Sequence, residues 1–437
     1  MTKEPYSITA ESLNAAGRGN IPAELMTSTH LIYSSPATLA FNSPGAQGFG
    51  VKRAGLSIPG SVMLLVSPGC CGRNTSLLTE MKEYRDRFFF LLMDETDLVT
   101  GRHLQKIPQA VQEIVDFLPQ KPSVVMICIT CVDALLGTDM ERVCRKASDQ
   151  AGLPVLPCYM YALTREGRKP PMVFVRQSIY SLLAPVKKEP ATVNLLGHFA
   201  PLDDSCELYP LLKSLGISKI NEISRCGSFE EYLAMGAANF NLVLNPESRL
   251  AAQDLETRLS MPYIELARLY QIDKIANQYK LFASALGASF DDTKYRREAE
   301  EAVRAFCETH GNAVIAVGEM ANANAFELSL AFTRYGLTVA EIYGTPTDED
   351  FVYIRRLAAL CPASRIFSNL SPTMLYYDSG RVHIDLTIGK DARYYRPGCP
   401  NVSWSEERQP FGYEGVTKLF TAMKQALDTS SSEGSSR

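Results

Sequence analysis

The feature that most constrains the fold is an alternation. Short apolar runs take turns with longer amphipathic stretches along nearly all of the 437 residues. A short apolar run between turn residues reads as a strand buried on both faces, and the amphipathic stretch after it as the helix that covers it. That sequence of elements builds parallel sheets from βα units. The first block holds the strands "SVMLLVS", "FFFLLM" and "SVVMICIT", followed by helical stretches such as "SLLTEMKEYRDR", "QKIPQAVQEIVDFL" and "MERVCRKASDQAG". After the proline-punctuated linker "LLAPVKKEPATV" a second block opens with "TVNLLGHFAP". Its next helix, "DDSCELYPLLKSLG", is expected to start in its acidic residues, and long helices fill roughly 271–310. A third block runs from "NAVIAVGEMANANAFELSLAFTRYGLTVAEIYGTP" to the closing helix "GYEGVTKLFTAMKQALD".

The predicted fold class is therefore α/β, with three Rossmann-like domains, each a parallel sheet flanked by helices. The expected boundaries are an N-terminal extension over 1–27, a first α/β domain over 28–188, a second over 189–310 and a third over 311–427. The small polar residues of 428–437 read as a disordered tail.

Composition narrows the function. A net charge of −4 gives no electrostatic reason to expect nucleic acid as a partner. No apolar run is long enough for a membrane span, and "MTKEPYSITAESLNAAG" has no signal-peptide core. A cytoplasmic location is expected, where structural disulfides are rare, and eleven cysteines is an odd number for a paired framework.

In open parallel sheets, ligands collect at the carboxyl ends of the strands. Cys70 and Cys71 follow the first strand, the acidic run Asp94–Asp97 follows the second, and Cys131 follows the third. These loops are expected along one edge, and thiolates are the usual ligands of iron–sulfur clusters. "CITC" resembles a redox pair, but strand alternation sends Cys128 into the core and leaves Cys131 to emerge at the end. Cys144, Cys158 and Cys206 read as core residues, the last in a helix; Cys226, Cys307 and Cys361 read the same way, and Cys399 lies in a loop. The histidines show no zinc spacing, and "GEMANANA" is not a nucleotide-binding loop.

Ordered along the chain, "SPGCCG", "DETDLVTG", "TCVDALLGTDMERV", "NLLGHFAPLDDSCELYPLLKSLGI", "EIYGTPT" and "PFGYEGVTKLF" resemble the component 1 subunits of the nitrogenase-like superfamily. That superfamily covers nitrogenase α and β subunits, cofactor-assembly scaffolds, and protochlorophyllide and other tetrapyrrole reductases. The resemblance implies an iron–sulfur cluster shared with a partner subunit. Cys70 and Cys131 are its candidate metal ligands, and Cys71 is a further cofactor-binding candidate. A second family ligand counts to Phe88, where no ligand exists, which favours a [4Fe–4S] cluster over an eight-iron one; Cys71, an acidic residue of Asp94–Asp97 or the partner could make up the set. The cysteine and histidine that hold the catalytic cofactor in a nitrogenase α subunit count to Leu244 and Val402. Neither can ligate a metal, so a non-α subunit is implied.

The implied function is a redox subunit of a nitrogenase-like oxidoreductase, taking electrons from an ATP-dependent iron-protein partner. The implied assembly is a homodimer or a heterotetramer with a sister component 1-like subunit. The alternative is a non-catalytic scaffold or carrier for metallocofactor assembly, without a cluster of its own. Catalytic residues and substrate stay open.

Overall fold

The computed structural model describes residues 4–26, 35, 37, 50–69, 82–129, 136–159 and 169–434. Its first strand, β1 (Ile8–Thr9), belongs to the last of three sheets. The first sheet holds β2 (Val62–Ser67), β3 (Phe88–Leu92), β4 (Val125–Ile129) and β5 (Val155–Tyr159), all parallel, in the order β3-β2-β4-β5. Every residue of β2 is buried. Met63 and Leu65 enter one core while Leu64 and Val66 enter another, as the period of two requires. Helices His103–Phe117 and Met140–Ala151 contribute Ile107, Val111, Val143 and Ala147 to the second of these cores. Each apolar side chain so buried contributes roughly 1.5–3 kcal/mol.

The second sheet is β6 (Glu189–Leu196), β7 (Lys219–Glu222), β8 (Ala238–Val243) and β9 (Tyr263–Glu265), parallel in the order β7-β6-β8-β9. Side-chain amides run across its middle. Asn221 donates to Asn194, and Asn194 to Asn241, each at 2.9 Å. One continuous core joins the first two sheets, with Met63, Met126 and Cys128 in the same cluster as Leu196, Val243 and Leu255.

The third sheet holds β10 (Val314–Gly318), β11 (Thr338–Tyr343), β12 (Arg365–Phe367), β13 (Leu386–Ile388) and β14 (Asn401–Val402). The order is β1-β12-β11-β10-β13-β14, with β1 antiparallel and the rest parallel. Contacts group the chain into two compact units. One is Phe49–Pro201 with Gly216–Ala267, carrying the first two sheets; the other is Met1–Gly48, Leu202–Leu215 and Arg268–Arg437, carrying the third.

All three sheets repeat one device. The chain lays strands to one side of the starting strand, then crosses to the other, so a switch point falls between β2 and β4, β6 and β8, and β10 and β13. The α/β class and parallel sheets are as the sequence predicts. Two helix expectations differ: the described part of "SLLTEMKEYRDR", Lys82–Arg87, is turn and bend rather than helix, and Cys206 is not helical. It sits in a turn closed by its own N–H to Asp203 O, and the helix begins at Leu208. Pro210 then falls in the first turn, where its missing N–H would have had no intrahelical partner. The closing helix runs Gly412–Gly434, into the polar segment that opens at Asp428. Among the described residues, no helix is long and apolar enough to cross a membrane.

Candidate functional site

The carboxyl edge of the first sheet is level. Val66 of β2 pairs with Ile129 of β4, and Ser67 with Leu92 of β3. Cys70 follows Ser67 by three residues and Cys131 follows Ile129 by two. Cys70, Cys71 and Cys131 themselves lie outside the described residues. At the end of β2, the Ser67 hydroxyl is fully buried and has no hydrogen-bond partner among the described residues. Such an orphan costs about 1–3 kcal/mol and is rare in folded proteins.

Two of the three acids in the run after β3 are already engaged. Asp94 caps helix Glu95–Thr100: its carboxylate accepts from Asp97 N at 2.7 Å, and Asp97 accepts from Asp94 N in return. Asp97 also takes Lys106 Nζ at 2.7 Å and Arg102 at 3.0 Å. The Lys106 hydrogen bond leads the causes that hold its carboxyl down at about 2. Beside it, His103 Nδ1 lies 3.0 Å from Asp97 O, while its buried Nε2 has no partner among the described residues. Asp97 therefore has no oxygen left over for a cluster.

Phe88 opens β3 opposite Met63, with its side chain in the core. That is the amino end of the strand, about 13 Å of extended chain from Leu92 at the carboxyl edge. Cys128 is fully buried and pairs across the sheet with Cys158, as the alternation predicts. Their mutual hydrogen bond, with burial, pushes the Cys158 thiol well up. Cys144 is also buried, and Cys226, Cys307, Cys361 and Cys399 are partly so.

Leu244 and Val402 both stand at carboxyl ends of strands. Leu244 directly follows β8 and donates its N–H to Leu196 O at 2.7 Å; Val402 ends β14. At the β6–β8 switch point a guanidinium fills the crevice. Arg176 donates to Gly197 O at 2.9 Å, pairs with Glu247 at 2.8 Å and stacks 4.6 Å from the Phe199 ring. Gly197 is obligatory there, with φ at 140° and Asn245 N only 2.7 Å from where a Cβ would stand.

Sequence reasoning missed the polar centre of the third sheet. Glu319 directly follows β10 and Asp391 stands three residues past β13; Asp391 is fully buried and Glu319 partly so, and both accept from Asn369. "VGEM" and "IGKD" carried the signal, an acid just beyond an apolar strand. A cleft of about 1130 Å³ opens instead at the amino edge of that sheet, before Val314, Leu386 and Asn401. It is lined by His310, His383, Cys307 and Cys399 among others. Burial pushes both thiols up, Cys399 to about 11, so they are poor metal ligands at neutral pH. Among the described residues, no group of three or more His, Cys, Asp or Glu could hold a metal ion.

A family profile described as Nitrogenase component 1 type Oxidoreductase matches residues 46–428. Curated relatives carry the name nitrogenase iron-molybdenum cofactor biosynthesis protein NifE. That of Klebsiella pneumoniae is 29% identical over 222 residues, 47% of this chain and 47% of that protein. That of Nostoc sp. is 28% identical over 199 residues, 45% and 41%. That of Sinorhizobium fredii is 24% identical over 362 residues, 77% and 71%. The chain thus spans less than half the length of the first two. A solved structure titled "Nitrogenase Cp1 at pH 6.5" superposes with a TM-score of 0.68 at 16% identity, covering 88% of this chain and 92% of that one. At that identity the likeness speaks for the fold alone.

Proposed function

The chain belongs to the nitrogenase component 1 type oxidoreductases, and from that premise we propose that it is a redox subunit of a nitrogenase-like complex, carrying an iron–sulfur cluster on the carboxyl edge of its first sheet. The carrying observation is the pairing of Val66 with Ile129, which sets the strands leading into Cys70 and Cys131 side by side at a switch point. Soft thiolates at that edge are the donor set such a cluster takes, and the cluster supplies one-electron transfer. Cys71 is the next candidate ligand. Phe88, at the far end of β3, gives no second ligand from this chain, which favours a [4Fe–4S] cluster completed by a sister subunit, in a homodimer or heterotetramer. An iron-protein-type ATPase would deliver the electrons.

A large catalytic cofactor held through a cysteine and a histidine does not fit. Leu244 and Val402 offer no donor atom, and Arg176 with Glu247 fills the neighbouring crevice. That observation, with the name of the relatives, favours a second reading: a scaffold on which a metallocofactor is assembled.

Anaerobic co-purification with its sister subunit, followed by iron and sulfide analysis and EPR, tests the first reading. Bound iron with a cluster signal supports it. Iron-free complex overturns it and leaves the scaffold. ATP-dependent reduction of the cluster by an iron protein separates electron transfer from assembly.

A further inference from the structure

At the switch point of the third sheet, the fully buried Asp391 and the half-buried Glu319 share a donor, and among the described residues no cation balances them. Asp391 accepts from Glu319 N at 3.0 Å, Met320 N at 3.3 Å and Asn369 Nδ2 at 2.9 Å. Glu319 accepts from Thr345 N at 2.8 Å and from the same Asn369 Nδ2 at 2.8 Å. All these donors are neutral, and among the described residues neither acid makes an ion pair. The fit is tight: a Cβ on Gly318 would overlap Asp391 Oδ1, and one on Gly389 would lie 2.8 Å from it. The pair thereby ties together the loops that leave β10, β11, β12 and β13.

We propose that Glu319 and Asp391 together retain one proton, and that this proton latches the loops at the carboxyl edge of the third sheet. Two uncompensated charges on neighbouring, largely desolvated carboxylates are far costlier than one, so the second ionisation is the one that fails. Asp391 has three N–H donors and holds the charge; Glu319 holds the proton. Burial, then the Asp391 charge, pushes Glu319 up to about 7, and burial pushes Asp391 up to about 6. The surrounding charges do not cancel this. Asp350 raises Glu319 further and is itself held by Asn324 and Thr347. Glu327 turns to Tyr270 N and Gln271, and Glu341 is paired with Arg396. Lys390 precedes Asp391 in the chain, Arg393 follows two residues later, and Tyr395 reaches the pair only by donating to Asn369 Oδ1.

The sign follows. Both acids titrate higher in the closed state than in an open one, so the latch is strongest at low pH and weakens as pH rises from the ordinary carboxylate range to about 7. This edge is where ligands of this fold class bind, so the proton couples loop order there to pH. The proposal does not rest on the cluster reading.

Hydrogen exchange of the full-length protein tests it, followed in peptides covering Gly318–Met320 and Gly344–Thr345 and corrected for base catalysis. Wild-type protection is expected to fall about tenfold per pH unit below neutrality and then level off. In Glu319→Gln the part of that loss between about pH 6 and 7 is expected to disappear, while the part that Asp391 carries below about 6 remains. Equal slopes in both proteins overturn the proposal. Should the variant not fold, infrared spectroscopy of the wild type decides: a buried protonated-carboxyl band at pH 6, lost at high pH and assigned by Asp391→Asn, supports it, and its absence at pH 6 overturns it.

Discussion

Val66 and Ile129 are direct neighbours across β2 and β4, one residue short of the end of one strand and at the end of the other. Everything said of Cys70 and Cys131 depends on that register, because each is only a few residues beyond. A Cys70→Ser, Cys131→Ser protein, purified anaerobically with its sister subunit, is therefore expected to lose most of its iron and its EPR signal. Cys128→Ser, buried beside Cys158, is expected to keep the iron and lose stability instead. Full iron occupancy in the double variant would contradict the assignment.

The buried hydroxyl of Ser67 makes a simpler prediction. Among the described residues it has no partner, so its desolvation goes without a compensating bond from them. Ser67→Ala is expected to stabilise the metal-free protein by about 1 kcal/mol, read as a rise in the thermal midpoint. A fall in the midpoint would mean the hydroxyl does useful bonding in the apo state.

How much of this was legible beforehand follows from what each residue depends on. "VMLLVS" and "VMICI" declare themselves as buried strands because few other elements are so apolar over so short a run, whereas "FFFLL", read the same way, lies at the sheet edge with Phe90 and Leu92 exposed. The same local rule put Cys128 in the core. Counting along the chain could bring a lost ligand to Phe88, but not show that Phe88 opens its strand rather than ends it; pairing with Met63 decides that. Glu319 and Asp391 are 72 residues apart and meet only because β13 returns beside β10. Arg176 meets Glu247 for a like reason, because its helix, Pro171–Tyr180, packs against the turn Pro246–Ser248 beyond β8. Switch-point chemistry is non-local, so a local reading finds the strands and misses the residues that converge on them.

Asp97 predicts an acid-side dependence of opposite sign to the latch. Its carboxyl is held at about 2, first by the hydrogen bond from Lys106 and then by its capping and Arg102 contacts. A depressed acid stabilises above its unfolded value near 4 and loses that contribution as pH falls toward 2. Asp97→Asn is expected to lower the thermal midpoint at neutral pH and to flatten its decline between about pH 4 and 2. Parallel wild-type and variant curves across that interval would show that Asp97 contributes nothing through its charge.

Arg176 and Glu247 form an unequal pair, and the inequality can be measured. The arginine side chain is 5% exposed and the glutamate 45%. Removing the glutamate strands a guanidinium whose pKa burial already lowers, whereas removing the arginine merely releases a carboxylate to water. Glu247→Ala should therefore destabilise by about 1–3 kcal/mol, since the charge left behind stays buried. Arg176→Met keeps most of the volume against Phe199 and removes the charge altogether, and such replacements are often close to neutral. Urea midpoints of the two single variants and the double variant decide it. The double variant should resemble Arg176→Met, because once the cation is gone the exposed glutamate has nothing left to balance. If Glu247→Ala is instead the milder change, the β6–β8 crevice admits enough water to solvate Arg176, and it is not the closed plug that its burial implies.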